Sequence, residues 1–413
     1  MNRSLYLATG EQEDLSGISK RVASITVSAI KQMPMLASKV DGCVSLGQGI
    51  PSFSTPEFIR EAVGDALMND SAIGKYSLQP GMPELKAEIA KRLERTKEID
   101  HVDPDDELVV TCGAIEGLAA AISTIVERGD EVIVMSPSYS SHIEQVLFAE
   151  GTPVFVPLIE HYAWGLDIDR IRDAITDRTK AIILCNPANP TGSVFTEEAL
   201  REVARIALEH NLYIITDEAY DFLVYDNGEH FSLASISELR SNLIATYSFS
   251  KMFCMTGWRV GYLYASKKIV DQVLKVHDAF AVCAPTISQY AALAGLKATN
   301  GIDGKGDQFI AQAVGALEHR RDLICKRLDR LPHLFAYQKP KGAYFVFPSI
   351  VSTGSNSMEF ALRLLYEAKV ITIPGNGFGP TGEGHLRLSF GGTDDLIADA
   401  MDRLENWSLE NNF

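Results

Sequence analysis

The chain has 413 residues, 46% of them hydrophobic and 22% charged, which suits a globular protein of two domains better than one small core. Its 54 acidic residues against 38 basic ones give a formal charge of −16, which disfavours nucleic acid or an anionic membrane as a partner. No apolar run approaches the roughly 20 residues needed to span a membrane, and the N-terminus lacks the apolar core and cleavage site of a signal peptide. The expected location is the cytoplasm. Six cysteines (Cys43, Cys112, Cys185, Cys254, Cys283, Cys325) are scattered without C-x-x-C or zinc spacing, so reduced, mostly buried thiols are expected and no metal site.

In chain order, residues 1–42 carry helical periodicity interrupted at Pro34. Gly47, Gly49 and Pro51 then mark a bend where backbone approaches something closely, or a plain turn. Pro56 opens a helix that runs to about Met68, and a loop at 76–81 precedes a second helix at 83–97. From residue 107 short apolar runs at 109–111, 132–135, 154–156, 181–184, 212–216 and 243–247 alternate with helical segments such as 115–127 and 197–210. That alternation predicts an α/β fold with a mostly parallel sheet covered by helices on both faces, and ligands at the carboxyl ends of the strands. A long helical stretch near 267–298 leaves this unit, and helices near 306–330 and 357–368 with strands near 343–347 and 386–390 form a smaller α+β part. The expected division is a large cofactor-binding domain over 61–297 and a small domain from 1–60 and 298–413.

One stretch concentrates chemistry: Ser248-Phe249-Ser250-Lys251-Met252-Phe253-Cys254-Met255-Thr256-Gly257-Trp258-Arg259. A lysine followed by Met, Phe, Cys and Met is partly desolvated, which lowers its pKa and frees the amine as a nucleophile for Schiff-base chemistry. Gly113-Ala114-Ile115 follows a strand and opens a helix, so its amides either hold a phosphate or form an ordinary strand-to-helix turn. Ser248, Ser250 and Arg259 add hydroxyl and guanidinium donors suited to the same anion. Asp217 ends an apolar strand as either a helix N-cap or a functional carboxylate. Asn186-Pro187-Ala188-Asn189-Pro190-Thr191-Gly192 is a turn that also fixes amides toward the sheet's rim. Tyr139 offers a flat face for stacking or packing, and Arg387, in an apolar strand, requires an anion, whether a structural carboxylate or a ligand.

Taken together, Ser-x-Ser-Lys with Met-Thr-Gly-Trp-Arg-x-Gly-Tyr, Asn-Pro-Thr-Gly, Asp-x-x-Tyr and the late Arg-Leu-Ser resemble the class I/II aminotransferases, pyridoxal 5′-phosphate enzymes of fold type I, over about residues 45–390. The resemblance implies transfer of an amino group between an α-amino acid and a 2-oxo acid by a ping-pong route. By it, Lys251 would form the Schiff base with the cofactor and shuttle the substrate α-proton, and Asp217 would pair with the pyridine nitrogen. Asn189 and Tyr220 would bond the ring's 3-oxygen, and Tyr139 would stack on the ring. The phosphate would lie on Gly113, Ala114 and Ile115 with Ser248, Ser250 and Arg259, and Tyr76 would reach it from the partner subunit of a homodimer. Arg387, with Asn189 and the backbone around Gly49, would grip the substrate carboxylate.

His142, three residues after Tyr139, is a candidate for substrate contact or for packing, and Cys283-Ala284-Pro285 departs from the Ser-Asn-Pro of many relatives. β-Elimination by the same lysine and phosphate cup is the competing chemistry. A non-catalytic cofactor-binding regulator has no room for a DNA-binding segment, and Gly375-Asn376-Gly377-Phe378-Gly379 lacks the following helix of a dinucleotide fingerprint.

Overall fold

The structure, a computed structural model, describes residues 17–23, 25, 29–301, 304–351 and 354–411. Its centre is a sheet of seven strands: β1 (Leu108–Thr111), β2 (Glu131–Ser136), β3 (Thr152–Pro157), β4 (Thr179–Cys185), β5 (Tyr213–Asp217), β6 (Leu243–Ser248) and β7 (Gly261–Ala265). Across the sheet they run β1-β7-β6-β5-β4-β2-β3. Pairs β6·β5, β5·β4, β4·β2 and β2·β3 are parallel, whereas β7 is antiparallel to both neighbours. The six strands expected from the sequence all form. The seventh, β7, was hidden inside the Trp-Arg-x-Gly-Tyr motif, and it makes the sheet mixed.

The apolar runs look continuous because both faces of the sheet are buried, but the strand period of two still divides them. Val109, Val132, Val134, Ile183, Ile215 and Ile244 join one core, with helices Ala114–Ile125 and Lys267–Ala281 supplying Leu118, Ile122, Ile269 and Val273. Their neighbours Val110, Ile133, Ile182, Ile214 and Leu243 point to the other, where helix Glu197–Glu209 contributes Leu200, Val203 and Ile206. Pro83–Lys97 and Glu57–Asn69 form where the proline signals place them.

Two helical expectations need correction. Helix Ala29–Ala37 carries Pro34 within it instead of stopping there. The stretch 267–298 is two helices, Lys267–Ala281 and Thr286–Asn300, because Val282 adopts φ +64° and Pro285 follows. Beyond them lie helices Lys305–Leu328 and Asp394–Glu410, the second absent from the sequence reading. A three-stranded antiparallel sheet of Phe345–Val346, Leu386–Ser389 and Ile373–Pro374 carries Arg387 in its central strand. Val44–Ser45 pairs in parallel with Val370–Ile371, which ties the N-terminal segment to the C-terminal one.

The six cysteines are free, with Cys185, Cys283 and Cys325 buried and the other three partly so. Among the described residues no helix is long and apolar enough to cross a membrane, and no cluster of three His, Cys, Asp or Glu is placed to hold a metal ion.

Candidate active site

A cavity of about 250 Å³ opens at the carboxyl ends of the parallel strands. Gly49, Ala114, Ile115, Tyr139, Asn189, Asp217, Tyr220, Ser248, Ser250, Lys251, Arg259 and Arg387 all line it, so the structure brings together most of the residues singled out in the sequence. Tyr76 stands apart, 82% exposed on the loop after Ser71–Gly74 and away from this chain's own cavity.

Lys251 projects from the single turn Phe249–Met252 that follows β6. Ser248 caps that turn, its Oγ accepting from the Ser250 amide at 3.1 Å. The lysine Nζ donates to the carbonyl of Gly49 at 2.8 Å, and the Tyr344 hydroxyl donates to the same oxygen at 2.7 Å. Burial, then the positive charges of Arg387 and Arg259, push the amine down to about 8. The sequence expectation of a desolvated lysine holds, and two arginines add to it.

Asp217 closes β5, and its Oδ1 accepts from the Ala219 amide at 3.1 Å, a local turn and not the cap of a helix. Its Oδ2 lies 3.1 Å from Nε2 of His142, whose Nδ1 is 2.9 Å from the Ser138 hydroxyl. His142 is fully buried, in the first turn of helix Ser140–Phe148, and it braces Asp217. Of the two roles considered for it, neither substrate contact nor bare packing describes this bond. Tyr139 meets the same imidazole edge-on at 5.6 Å between ring centres. Tyr220 is buried with Tyr344 and Phe345 edge-on to it, and burial raises its phenol far above the usual range, so it remains a donor.

The two Asn-Pro pairs do different work. Asn186 Oδ1 accepts from the Phe195 amide at 2.9 Å and closes the loop, whereas Asn189 Oδ1 accepts from Arg387 Nη1 at 3.1 Å inside the cavity. Arg387 Nη2 donates to the Gly47 carbonyl at 2.8 Å, and its guanidinium lies over Phe345 and Phe378, at 4.5 and 5.1 Å. Among the described residues no carboxylate pairs with it and its Nε has no partner. Burial without such a counter-charge pulls it down to about 10. The alternative of a structural salt bridge is therefore overturned, and a buried cation faces the cavity with bonding capacity to spare.

At the opposite end Gly113 adopts φ +79° as the N-cap of Ala114–Ile125, and a Cβ there would come within 2.7 Å of Arg259 Nη2. Gly261 must also be bare, since a Cβ would sit 2.5 Å from the Tyr247 carbonyl and 2.7 Å from the Ala114 amide nitrogen. Arg259, itself at φ +53°, donates to Ser250 Oγ at 3.4 Å and to the Thr256 carbonyl at 2.9 Å. Glu116 reaches back to the Cys112 amide at 3.1 Å while its other oxygen lies 3.1 Å from Nδ1 of the buried His277. Helix start, hydroxyls and guanidinium thus converge as an anion cup.

His142, Glu116, His277, Tyr344 and Phe345 were missed or undervalued. A histidine three residues beyond a strand-end tyrosine and a Glu at the third position of the helix were visible signals, the latter as a reach-back cap. Tyr344 and Phe345 come from the distant C-terminal segment and carried none. Gly375–Phe378 is a short 3-10 turn, not the opening of a dinucleotide-binding helix.

The model of the family "aminotransferase class I and II" matches residues 41–404. Aromatic-amino-acid aminotransferase 2 of Thermococcus litoralis and aspartate aminotransferase of Pyrococcus abyssi are each 36% identical over 94% of this chain and 97% of theirs. The solved aspartate aminotransferase of Thermus thermophilus superposes with a TM-score of 0.88 at 34% identity, over 95% of this chain and 99% of its own. The chain belongs to the class I and II aminotransferases, a family of pyridoxal-phosphate enzymes, and it is an enzyme of amino-group transfer between an α-amino acid and a 2-oxo acid.

Proposed function

We propose that this aminotransferase works with pyridoxal 5′-phosphate held in the cavity at the strand ends, with Lys251 as the covalent anchor. The observation that carries the proposal is the Lys251 amine, lowered to about 8 and set in one cavity with a strand-end carboxylate and a buried, unpaired arginine. The bare cradle at Gly113, which any side chain would fill, supports a phosphate there, held by the amides of Ala114 and Ile115 with Ser248, Ser250 and Arg259. When bound, the cofactor supplies an electron sink that allows the substrate Cα–H bond to break.

The side chains do the rest. Lys251 Nζ takes the α-proton and returns it, a role open to an amine near neutrality and closed to a guanidinium. Asp217 holds a proton on the pyridine nitrogen, and His142, bonded to its other side, keeps that carboxylate oriented. Tyr220 and Asn189 would donate to the ring's 3-oxygen, and Tyr139 would support the ring. Arg387 and Asn189 bind the carboxylate common to amino acid and 2-oxo acid, with the bend at Gly47 to Gly49 closing the site.

We further infer a homodimer in the cytoplasm in which Tyr76 reaches the partner's phosphate; its 82% exposure supports this. The division into a large domain at 61–297 and a small one from 1–60 and 298–413 is supported by the pairing of Val44–Ser45 with Val370–Ile371. The test is direct: purified holoenzyme incubated with an amino acid and 2-oxoglutarate should form glutamate and the matching 2-oxo acid in equal amounts. Ammonia released without any amino acceptor would instead mean elimination.

A further inference from the structure

We propose that Tyr344 is a positioning residue for the proton transfer: its hydroxyl fixes the Gly49 carbonyl, and that carbonyl fixes the Lys251 amine. This inference rests on the transaminase reading above and adds a residue to it.

Two donors meet on one oxygen. The Tyr344 hydroxyl lies 2.7 Å from the Gly49 carbonyl and Lys251 Nζ 2.8 Å from it, so the carbonyl accepts from both at once, as its two lone pairs allow. The tyrosine comes from the C-terminal segment, the glycine from the N-terminal bend and the lysine from the turn after β6. Tyr344 is 1% exposed, with Tyr220 edge-on to it at 5.4 Å and Phe345 tilted against it at 4.8 Å, so its ring is held in place. Burial raises its phenol far above the usual range, which keeps the proton on the oxygen and the hydroxyl a donor.

The other side chains on this bend are reacting groups. Arg387 Nη2 holds the Gly47 carbonyl at 2.8 Å, and in the proposed reaction that guanidinium binds the substrate carboxylate. Lys251 gives up Gly49 whenever its amine is covalently engaged. Of the described side chains bonded to the Gly47 and Gly49 carbonyls, Tyr344 is the one with no part in the chemistry, so it stays on the oxygen through the cycle. A neutral amine with one N–H held on a fixed acceptor has its lone pair confined in direction, which a free amine on a flexible four-carbon stem does not. The α-proton must reach that lone pair at hydrogen-bond distance, so a carbonyl held from behind keeps the reactive geometry within reach.

The experiment is a double-mutant cycle in the half-reaction, holoenzyme with one amino acid and no acceptor. Tyr344→Phe removes the hydroxyl and keeps the ring. With the amino acid on which the parent enzyme is fastest, its rate constant should fall about tenfold or more, the size of one positioned hydrogen bond, while the pH midpoint of the visible band stays. In Lys251→Ala, with methylamine added in place of the lost amine, the same substitution should change the rate by less than about twofold, because the group through which Tyr344 acts is gone. In the apoprotein, amide hydrogen exchange of the peptide over residues 46–53 should quicken in Tyr344→Phe. An equal fall in both backgrounds, no fall in either, or unchanged exchange in that peptide overturns the proposal and leaves transamination intact. A moved midpoint overturns it as well, since the effect would then run through Tyr220. A parent enzyme that converts no amino acid overturns the transaminase reading itself, and this role of Tyr344 with it.

Discussion

His142 Nε2 lies 3.1 Å from Asp217 Oδ2, and both side chains are buried. The bond fixes the carboxylate at the end of β5, so its loss should act on rate more than on cofactor retention. His142→Phe fills the same space without the donor. A fall in kcat of roughly tenfold or more, of the size one positioned hydrogen bond gives, is expected with the visible band retained but shifted in its pH response. Steady-state kinetics with a spectral titration checks this, and unchanged kcat would reduce His142 to packing.

The Lys251 amine, lowered to about 8 by burial and by Arg387 and Arg259, sets a pH dependence for the apoprotein. Only the neutral amine attacks a carbonyl, so the rate of reconstitution with pyridoxal phosphate should rise with pH up to about 8 and then level. Between about 8 and the unperturbed value of a lysine the unfolded chain binds more protons than the folded one, so apoprotein stability from this group increases with pH across that window. Lys251→Met should remove both effects. Stopped-flow absorbance and thermal melts across pH 6 to 10 (a chosen range of about four units) measure them.

Arg387 is a buried cation with a free Nε and, among the described residues, no carboxylate partner, a stability cost kept for a ligand. Arg387→Met should lower kcat/KM for amino acids and 2-oxo acids about a hundredfold or more, in line with the roughly 2–5 kcal/mol lost when one side of a buried charge pair is removed. Tm should stay level or rise. A drop in Tm together with unchanged kinetics would mean that the arginine serves the fold alone.

Behind the site, Asp221 lies 2.8 Å from Lys97 and 3.3 Å from Arg92, all three buried, and Glu218 sits two residues from Tyr220, its Oε2 without a hydrogen bond and 3.8 Å from His230 Nε2. Burial opposes ionisation of Asp221, but Lys97 and Arg92 win and hold it down to about 2. Asp221→Asn should therefore cost about 3–5 kcal/mol by leaving two buried cations without their counter-charge. For Glu218 burial prevails and raises it to about 7. Its folded form holds a proton the unfolded chain releases, so this group's contribution declines as pH rises from the usual carboxylate range to about 7. Denaturant titrations at several pH values check both, and Glu218→Gln should flatten the decline.

Much of this was legible because it is local. The desolvated Lys251, the strand-ending Asp217 and the Gly113 turn are written in contiguous residues, and the period of two and the helix signals placed the strands around them. Strand β7 escaped because Gly261–Ala265 begins inside a motif read for its chemistry, and its direction depends on neighbours Thr111 and Ser248, far apart in sequence. His142 to Asp217 and Arg387 to Gly47 span 75 and 340 residues, and no local pattern encodes such pairs. The break at Val282 was equally hidden, since a positive φ at a β-branched residue is locally unfavoured and no sequence pattern announces it.

Borohydride reduction of the holoenzyme followed by peptide mass spectrometry tests the central claim most directly. The account predicts one phosphopyridoxyl adduct per chain, on the peptide that contains Lys251, and none after prior conversion with an amino acid. An adduct on another lysine, or no adduct in a protein that still transfers amino groups, would contradict it.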